Sequence, residues 1–176
     1  RKGLLNLTDG GSISGASTNT LTINPVAAGD AAADYNVVIT GTAPCAAATS
    51  NNAALLVNDA VVITSQPATT QTVCSGSNVS FSVTATGTGL TYQWRKGTTN
   101  LSNGGNISGA TTATLTLTGV LTTDAGSYNV VVSGASPCAA VTSSDAVLVV
   151  NQVVAISAQP AATQTVCTGN SVSFSV

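Results

Sequence analysis

The stretch Leu90-Thr91-Tyr92-Gln93-Trp94-Arg95-Lys96-Gly97 contains the only tryptophan of the chain. Its apolar and polar residues alternate, so Leu90, Tyr92 and Trp94 fall on one face and Thr91, Gln93 and Arg95 on the other, as in a β-strand with one buried side. Trp94 is therefore expected to anchor a core. Burying an indole removes roughly 150–250 Å² from water, which at roughly 25 cal/mol per Å² amounts to several kcal/mol. No other single residue in this aromatic-poor chain offers as much.

Outward from this strand, the sequence repeats itself. Arg1-Lys2-Gly3 returns as Arg95-Lys96-Gly97, and Gly10-Gly11-Ser12-Ile13-Ser14-Gly15-Ala16 returns as Gly104-Gly105-Asn106-Ile107-Ser108-Gly109-Ala110, both 94 residues on. Beyond Ala31 the offset is 93: Tyr35-Asn36-Val37-Val38 matches Tyr128-Asn129-Val130-Val131, Cys45 matches Cys138, and Cys74 matches Cys167. The first copy thus carries one extra residue before its tyrosine. The period is the size of one small all-β domain. It divides the chain into residues 1–58, the back of a first repeat; 59–151, a whole second repeat; and 152–176, the front of a third. The chain begins just after the position equivalent to Trp94 and stops at the equivalent of Val83. Neither partial copy is expected to close a core, and the chain reads as a window on something longer.

Within the whole copy, turn residues separate short alternating runs. A first strand is expected over 61–66, ended by Pro67. The turn at Ser75-Gly76 opens a second, whose inward face is Val79, Phe81 and Val83. After the tryptophan strand, residues 97–109 form a polar connection with a short edge strand around Ile107. Ala113, Leu115 and Leu117 alternate with threonines, Tyr128, Val130 and Val132 make the next inward face, and 141–150 closes the domain. Helical periodicity is absent.

The segment Asp124-Ala125-Gly126-Ser127-Tyr128-Asn129-Val130 is similar to the D-x-G-x-Y-x-C signature of immunoglobulin domains, in which the tyrosine forms a corner two residues before the second core cysteine. Here that cysteine position is Val130, and the first core cysteine position is Val83. The resemblance implies an all-β, tandem immunoglobulin-like sandwich in which two valines packed on Trp94 replace the inter-sheet disulfide. The first repeat departs from the signature, since Asp30-Ala31-Ala32-Ala33-Asp34-Tyr35 lacks the glycine, so the resemblance does not fix the corner geometry around Tyr35. Together with the Y-Q-W strand and the threonine-rich outer faces, these motifs resemble the tandem immunoglobulin-like repeats of large Bacteroidota surface proteins, including gliding adhesins exported by the type IX pathway. That resemblance implies an extracellular, cell-surface stalk or filament segment whose partners are neighbouring repeats of the same chain, with surface glycans or other cells engaged elsewhere.

Composition narrows the chemistry. The basic residues are only Arg1, Lys2, Arg95 and Lys96, too few to track a row of phosphates, so no nucleic-acid partner is expected. The apolar runs 146–150 and 153–156 are far too short to span a bilayer, so no membrane insertion is expected. With neither histidine nor glutamate, serine and cysteine triads and histidine-containing zinc sites lack their parts. Asp30 and Asp34 are the closest carboxylates, in a turn where capping explains them, and no enzyme activity, cofactor or metal is expected. Calcium at a joint between repeats would need clustered oxygens that the sequence does not show. The N-x-S/T matches at Asn6, Asn78, Asn100 and Asn106 read as turn and strand residues.

Two functions remain from these residues: a structural spacer, and a module binding carbohydrate or protein through residues 97–109. Residues 3–15 and 97–109 share most positions and carry no aromatic anchor, which favours the spacer. A joint of Asn151-Gln152, free of glycine and proline, is expected to hold successive domains rigidly.

Four cysteines at a fixed period in an exported chain suggest disulfides. In the immunoglobulin topology implied by the resemblance, Cys74 lies where the chain leaves a sandwich and Cys138 where it enters, roughly 30 Å apart at 3.3 Å per strand residue. A disulfide needs Cα atoms within about 7 Å. The expectation is that Cys45, Cys74, Cys138 and Cys167 pair with neighbouring repeats outside the chain. The alternative is a distorted Cys74–Cys138 bridge inside one domain.

Overall fold

In the computed structural model, which describes residues 1–176, Trp94 lies in the strand Thr91–Lys96 and is fully buried, with its indole nitrogen donating to the Thr112 carbonyl at 2.8 Å. Tyr92 and Leu90, on the same face, are half-buried. The strand sits second in a sheet of order Thr99–Asn100, Thr91–Lys96, Gly126–Ser133, Ala146–Asn151, Thr70–Cys74, with Val141–Thr142 pairing on Gly126–Ser133. A second sheet joins Ile107–Ser108, Thr114–Leu117 and Val79–Ser82, all antiparallel.

Two compact units divide the chain. Arg1–Ser65, Thr84–Tyr92 and Val131–Thr142 make one, and Gln66–Val83, Gln93–Val130 and Ser143–Val176 make the other.

The second unit is a packed sandwich. Phe81 from one sheet stacks on Tyr128 from the other, ring centroids 5.3 Å apart, and lies tilted at 6.4 Å from Trp94. Leu115, Leu117, Val130, Ala146 and Leu148 are buried around them, and so is Val83. The alternation that places Val79 and Phe81 inward, with Ser80 and Ser82 outward, is the period-two signature of a half-buried strand. In residues 152–176 no strand forms, although local geometry of the whole copy persists. Gln164 donates to the Ser173 carbonyl at 2.8 Å as Gln71 does to Ser80.

The first unit carries the strand pairs Ile13–Ser14 with Thr22–Ile23, Ala32–Tyr35 with Ala53–Leu55, Val38–Ile39 with Ala48–Thr49, and Val62–Ser65 with Thr84–Thr86. No residue of 1–58 is fully buried. Leu21, Val37 and Ile39 are 38%, 44% and 66% exposed, whereas their counterparts Leu115, Val130 and Val132 are 0% exposed.

The first strand, Val62–Ser65, pairs with Thr84–Thr86 and ends before Pro67 as expected, but beyond Pro67 the sequence reading lacked a further strand, Thr70–Cys74, which pairs in parallel with Ala146–Asn151. Proline lacks the donor needed to continue a ladder, so the chain changes neighbours there. The closing run 141–150 is likewise two strands, Val141–Thr142 and Ala146–Asn151. At the break the Ser143 hydroxyl accepts from Val130 N at 3.0 Å and donates to the Ser144 carbonyl at 3.0 Å, replacing ladder bonds. The corner of the first repeat, finally, forms without its glycine, as described next.

Candidate functional site

Tyrosine corners close both repeats. The Tyr128 hydroxyl donates to the Asp124 carbonyl at 2.6 Å, and the Asp124 carboxylate accepts from Leu121 N at 2.8 Å and from Asn106 Nδ2 at 3.0 Å. Burial, reinforced by the nearby Asp124 charge, pushes the Tyr128 phenol up to about 12. In the first repeat Tyr35 donates to the Asp30 carbonyl at 2.6 Å, and Asp30 accepts from Ala27 N at 2.8 Å. Burial and then Asp30 and Asp34 raise its phenol too. Gly126 adopts φ +151 in the second corner. The first repeat instead shifts register between Ala32 and Tyr35, opposite Leu55 and Ala53. Its extra residue is absorbed as a β-bulge that bends the strand into the corner by another route.

Asp30 therefore caps a turn, as expected from its sequence context, and no group of three or more cysteine and aspartate side chains converges to hold a metal ion. The sequon asparagines are hydrogen-bonded as turn residues. Asn78 Oδ1 accepts from Gly119 N at 2.9 Å, and Asn100 Oδ1 accepts from Arg95 Nε at 2.8 Å, as Asn6 does from Arg1 at 2.7 Å.

The connections proposed as a recognition surface are built alike in both copies. Gly10 and Ile13 exchange two backbone bonds, as Gly104 and Ile107 do. Ala16 N donates to Asp9 Oδ1 at 2.7 Å, and Ala110 N donates to Asn103 Oδ1 at 2.8 Å. The Thr18 hydroxyl bridges the Gly15 and Thr20 carbonyls, and Thr112 bridges those of Gly109 and Thr114. Lys2 and Lys96 each reach back to the turn before the tyrosine, to Gly29 O and Thr123 O. Equivalent side chains thus perform the same local work one period apart. An open groove of about 680 Å³ lies on the first repeat, lined by Leu21, Tyr35, Val37 and Ile39 among others. It is the side that Phe81 and Trp94 fill in the whole copy.

The cysteines are all free thiols: Cys138 is half-buried, and Cys45, Cys74 and Cys167 are exposed. Cys138 sits where the second repeat receives the chain, its sulfur 3.5 Å from the Asn58 carbonyl oxygen. Asn58 Nδ2 donates to Ser136 O at 2.9 Å, and Asp59 N donates to the Thr88 hydroxyl at 2.9 Å. Gly134 lies so close to Val61 that a Cβ there would stand 2.8 Å from the valine methyl. Cys74 is in register with Asn151, the last residue of the final strand. Sequence reasoning singled out these cysteines and placed Asn151 at the joint but missed Asn58, whose only signal was the same place in the period.

No curated protein sequence matches this chain. Among solved structures, the extracellular domains 3–5 of Drosophila OTK are similar with a TM-score of 0.63 at 20% identity, covering 80% of this chain and 46% of that one. An I-band fragment of titin is similar with a TM-score of 0.67 at 18% identity, covering 88% of this chain and 54% of that one. The chain spans about half the length of these structures. The likeness shows the fold, a tandem of immunoglobulin-like β-sandwich domains. Residues 64–152 match the family described as a domain of unknown function, DUF8696, and the chain belongs to that family.

Proposed function

We propose that the chain is a non-catalytic spacer, a structural repeat segment of an extracellular surface stalk that holds another part of a large adhesin away from its cell. The observation that carries this reading is the duplication of the connections 3–15 and 97–109, whose turn and loop-closing hydrogen bonds recur one period apart. A binding surface under selection for a ligand gains from loops that differ between copies and present aromatic anchors. These loops do neither. The motif resemblance extends the reading to exported Bacteroidota surface proteins, gliding adhesins among them, and the repeat boundaries 1–58, 59–151 and 152–176 belong to the same proposal. The extracellular domains named for the OTK structure are in keeping with it.

The test is a glycan array probed with residues 59–151, together with pull-down by immobilised surface polysaccharide. A spacer gives no specific signal. Saturable micromolar binding that is lost when 97–109 is replaced would instead establish the carbohydrate-binding alternative.

A further inference from the structure

Asn58 and Asn151 are the same residue of successive repeats, 93 positions apart, and each ends its repeat. The backbone carbonyl of this asparagine is approached from two sides. At Asn151 it accepts from Ser75 N at 2.8 Å, directly after Cys74, while Cys74 itself is the cross-strand partner of Asn151. At Asn58 it lies 3.5 Å from the sulfur of Cys138, in the hairpin of the repeat that follows. One carbonyl oxygen is thus shared, in the repeating pattern, by the residue bonded to the turn cysteine of one repeat and by the hairpin cysteine of the next. Neighbouring strands run about 4.8 Å apart, so the turn cysteine stands that far from the asparagine whose oxygen the hairpin sulfur already touches. The turn cysteine and the hairpin cysteine of one joint therefore border the same asparagine, the first as its strand neighbour and the second at its carbonyl oxygen.

We infer that wherever one complete repeat follows another, a disulfide joins the turn cysteine of the first to the hairpin cysteine of the second. Cys74 and Cys138 are therefore halves of two different staples, and Cys167 and Cys45 are their counterparts in the third and first repeats. In forming each staple, two S–H bonds break and one S–S bond forms. The two protons and two electrons pass to a small-molecule disulfide, such as oxidised glutathione, whose S–S bond breaks to give two thiols. The exposure of Cys74 leaves it open to that exchange. The staple adds a covalent tie to the joint, and it holds whether the array is a spacer or a binder.

Every fully buried side chain of this protein lies between Val61 and Val150, so residues 59–151 hold the whole core. The experiment links two copies of residues 59–151 directly, reproducing the natural joint. The protein is folded under reductant, checked by circular dichroism, and oxidised with oxidised glutathione. Peptide mass mapping is expected to find one disulfide, between Cys74 of the first copy and Cys138 of the second, with the other two thiols still titratable. Cys74→Ser in the first copy alone should abolish it, and Cys138→Ser in the first copy alone should leave it intact. A Cys74–Cys138 bridge within one copy, or four free thiols in the folded, oxidised protein, would overturn the inference. The 176-residue chain provides an independent measurement. Its oxidised monomer must lack a Cys74–Cys138 bond, and finding that bond would overturn the inference without recourse to the tandem.

Discussion

The Tyr128 hydroxyl donates to the Asp124 carbonyl oxygen at 2.6 Å, tying the strand that carries the core to the turn that precedes it. A buried phenol bonded to a backbone carbonyl leaves that carbonyl without its partner when the hydroxyl is removed. Tyr128→Phe is expected to cost about 1–2 kcal/mol. Tyr35→Phe, in the open first repeat, should cost less. Chemical denaturation of each variant measures both, and a Tyr128→Phe protein as stable as the parent would show that the corner adds nothing.

The same phenol gives the fold an alkaline limit. Its folded value, about 12, lies above the ordinary 10.0, so the folded state keeps a proton that the unfolded chain releases. Its contribution is fully present below pH 10 and declines as pH rises through 10 to about 12. Stability of the parent minus that of Tyr128→Phe, followed by urea unfolding from pH 8 to 12, should be flat and then fall. A difference that rises in that window would contradict the burial of this hydroxyl.

Trp94 combines full burial with a hydrogen bond to Thr112 O. Trp94→Ala is expected to cost about 3–5 kcal/mol, more than Tyr128→Phe, through lost transfer energy and a cavity beside Phe81. Loss of the cooperative thermal transition is the readout. A melting curve like that of the parent would mean that the core is organised around something else.

Two glycines with similar backbones should respond differently. Gly76 and Gly109 have φ of +88 and +76, but a Cβ at Gly76 meets nothing, whereas at Gly109 it would stand 2.0 Å from the Thr114 carbonyl oxygen. Gly76→Ala is expected to cost about 1–2 kcal/mol from the left-handed backbone alone. Gly109→Ala should cost distinctly more, because the loop must also move. Equal losses in denaturant midpoints would count against the loop geometry described for both repeats.

The joint after Asn58 has no glycine or proline and is bonded to the next repeat through Ser136 and Thr88. Small-angle scattering of two linked copies of 59–151 should fit a single interdomain orientation. A fit that demands free bending would rule out a stiff joint, and comparing reduced with oxidised protein separates the backbone contribution from that of the disulfide.

Alternation was enough to place Trp94, Phe81, Tyr128, Val130 and Val132 inside, because a strand with one wet face must put every second residue in the core. Recurrence of whole motifs was enough to show copies of one domain, and Asp124 with Tyr128 announced the corner. What those patterns could not decide depends on which strands become neighbours. Pairing energy comes from partners far away in the chain, so the change of neighbour at Pro67, the parallel strand Thr70–Cys74 and the break at Ser143 appear only in three dimensions. The extra residue before Tyr35 was visible in the offset, yet only the opposing residues Leu55 and Ala53 show it to be a bulge. Leu21 and Leu115 share a residue type and a place in the period, and only packing tells them apart. Leu115 is covered by the sheet facing its own, and Leu21 borders an open groove, because burial is a property of what surrounds a side chain and not of the side chain itself.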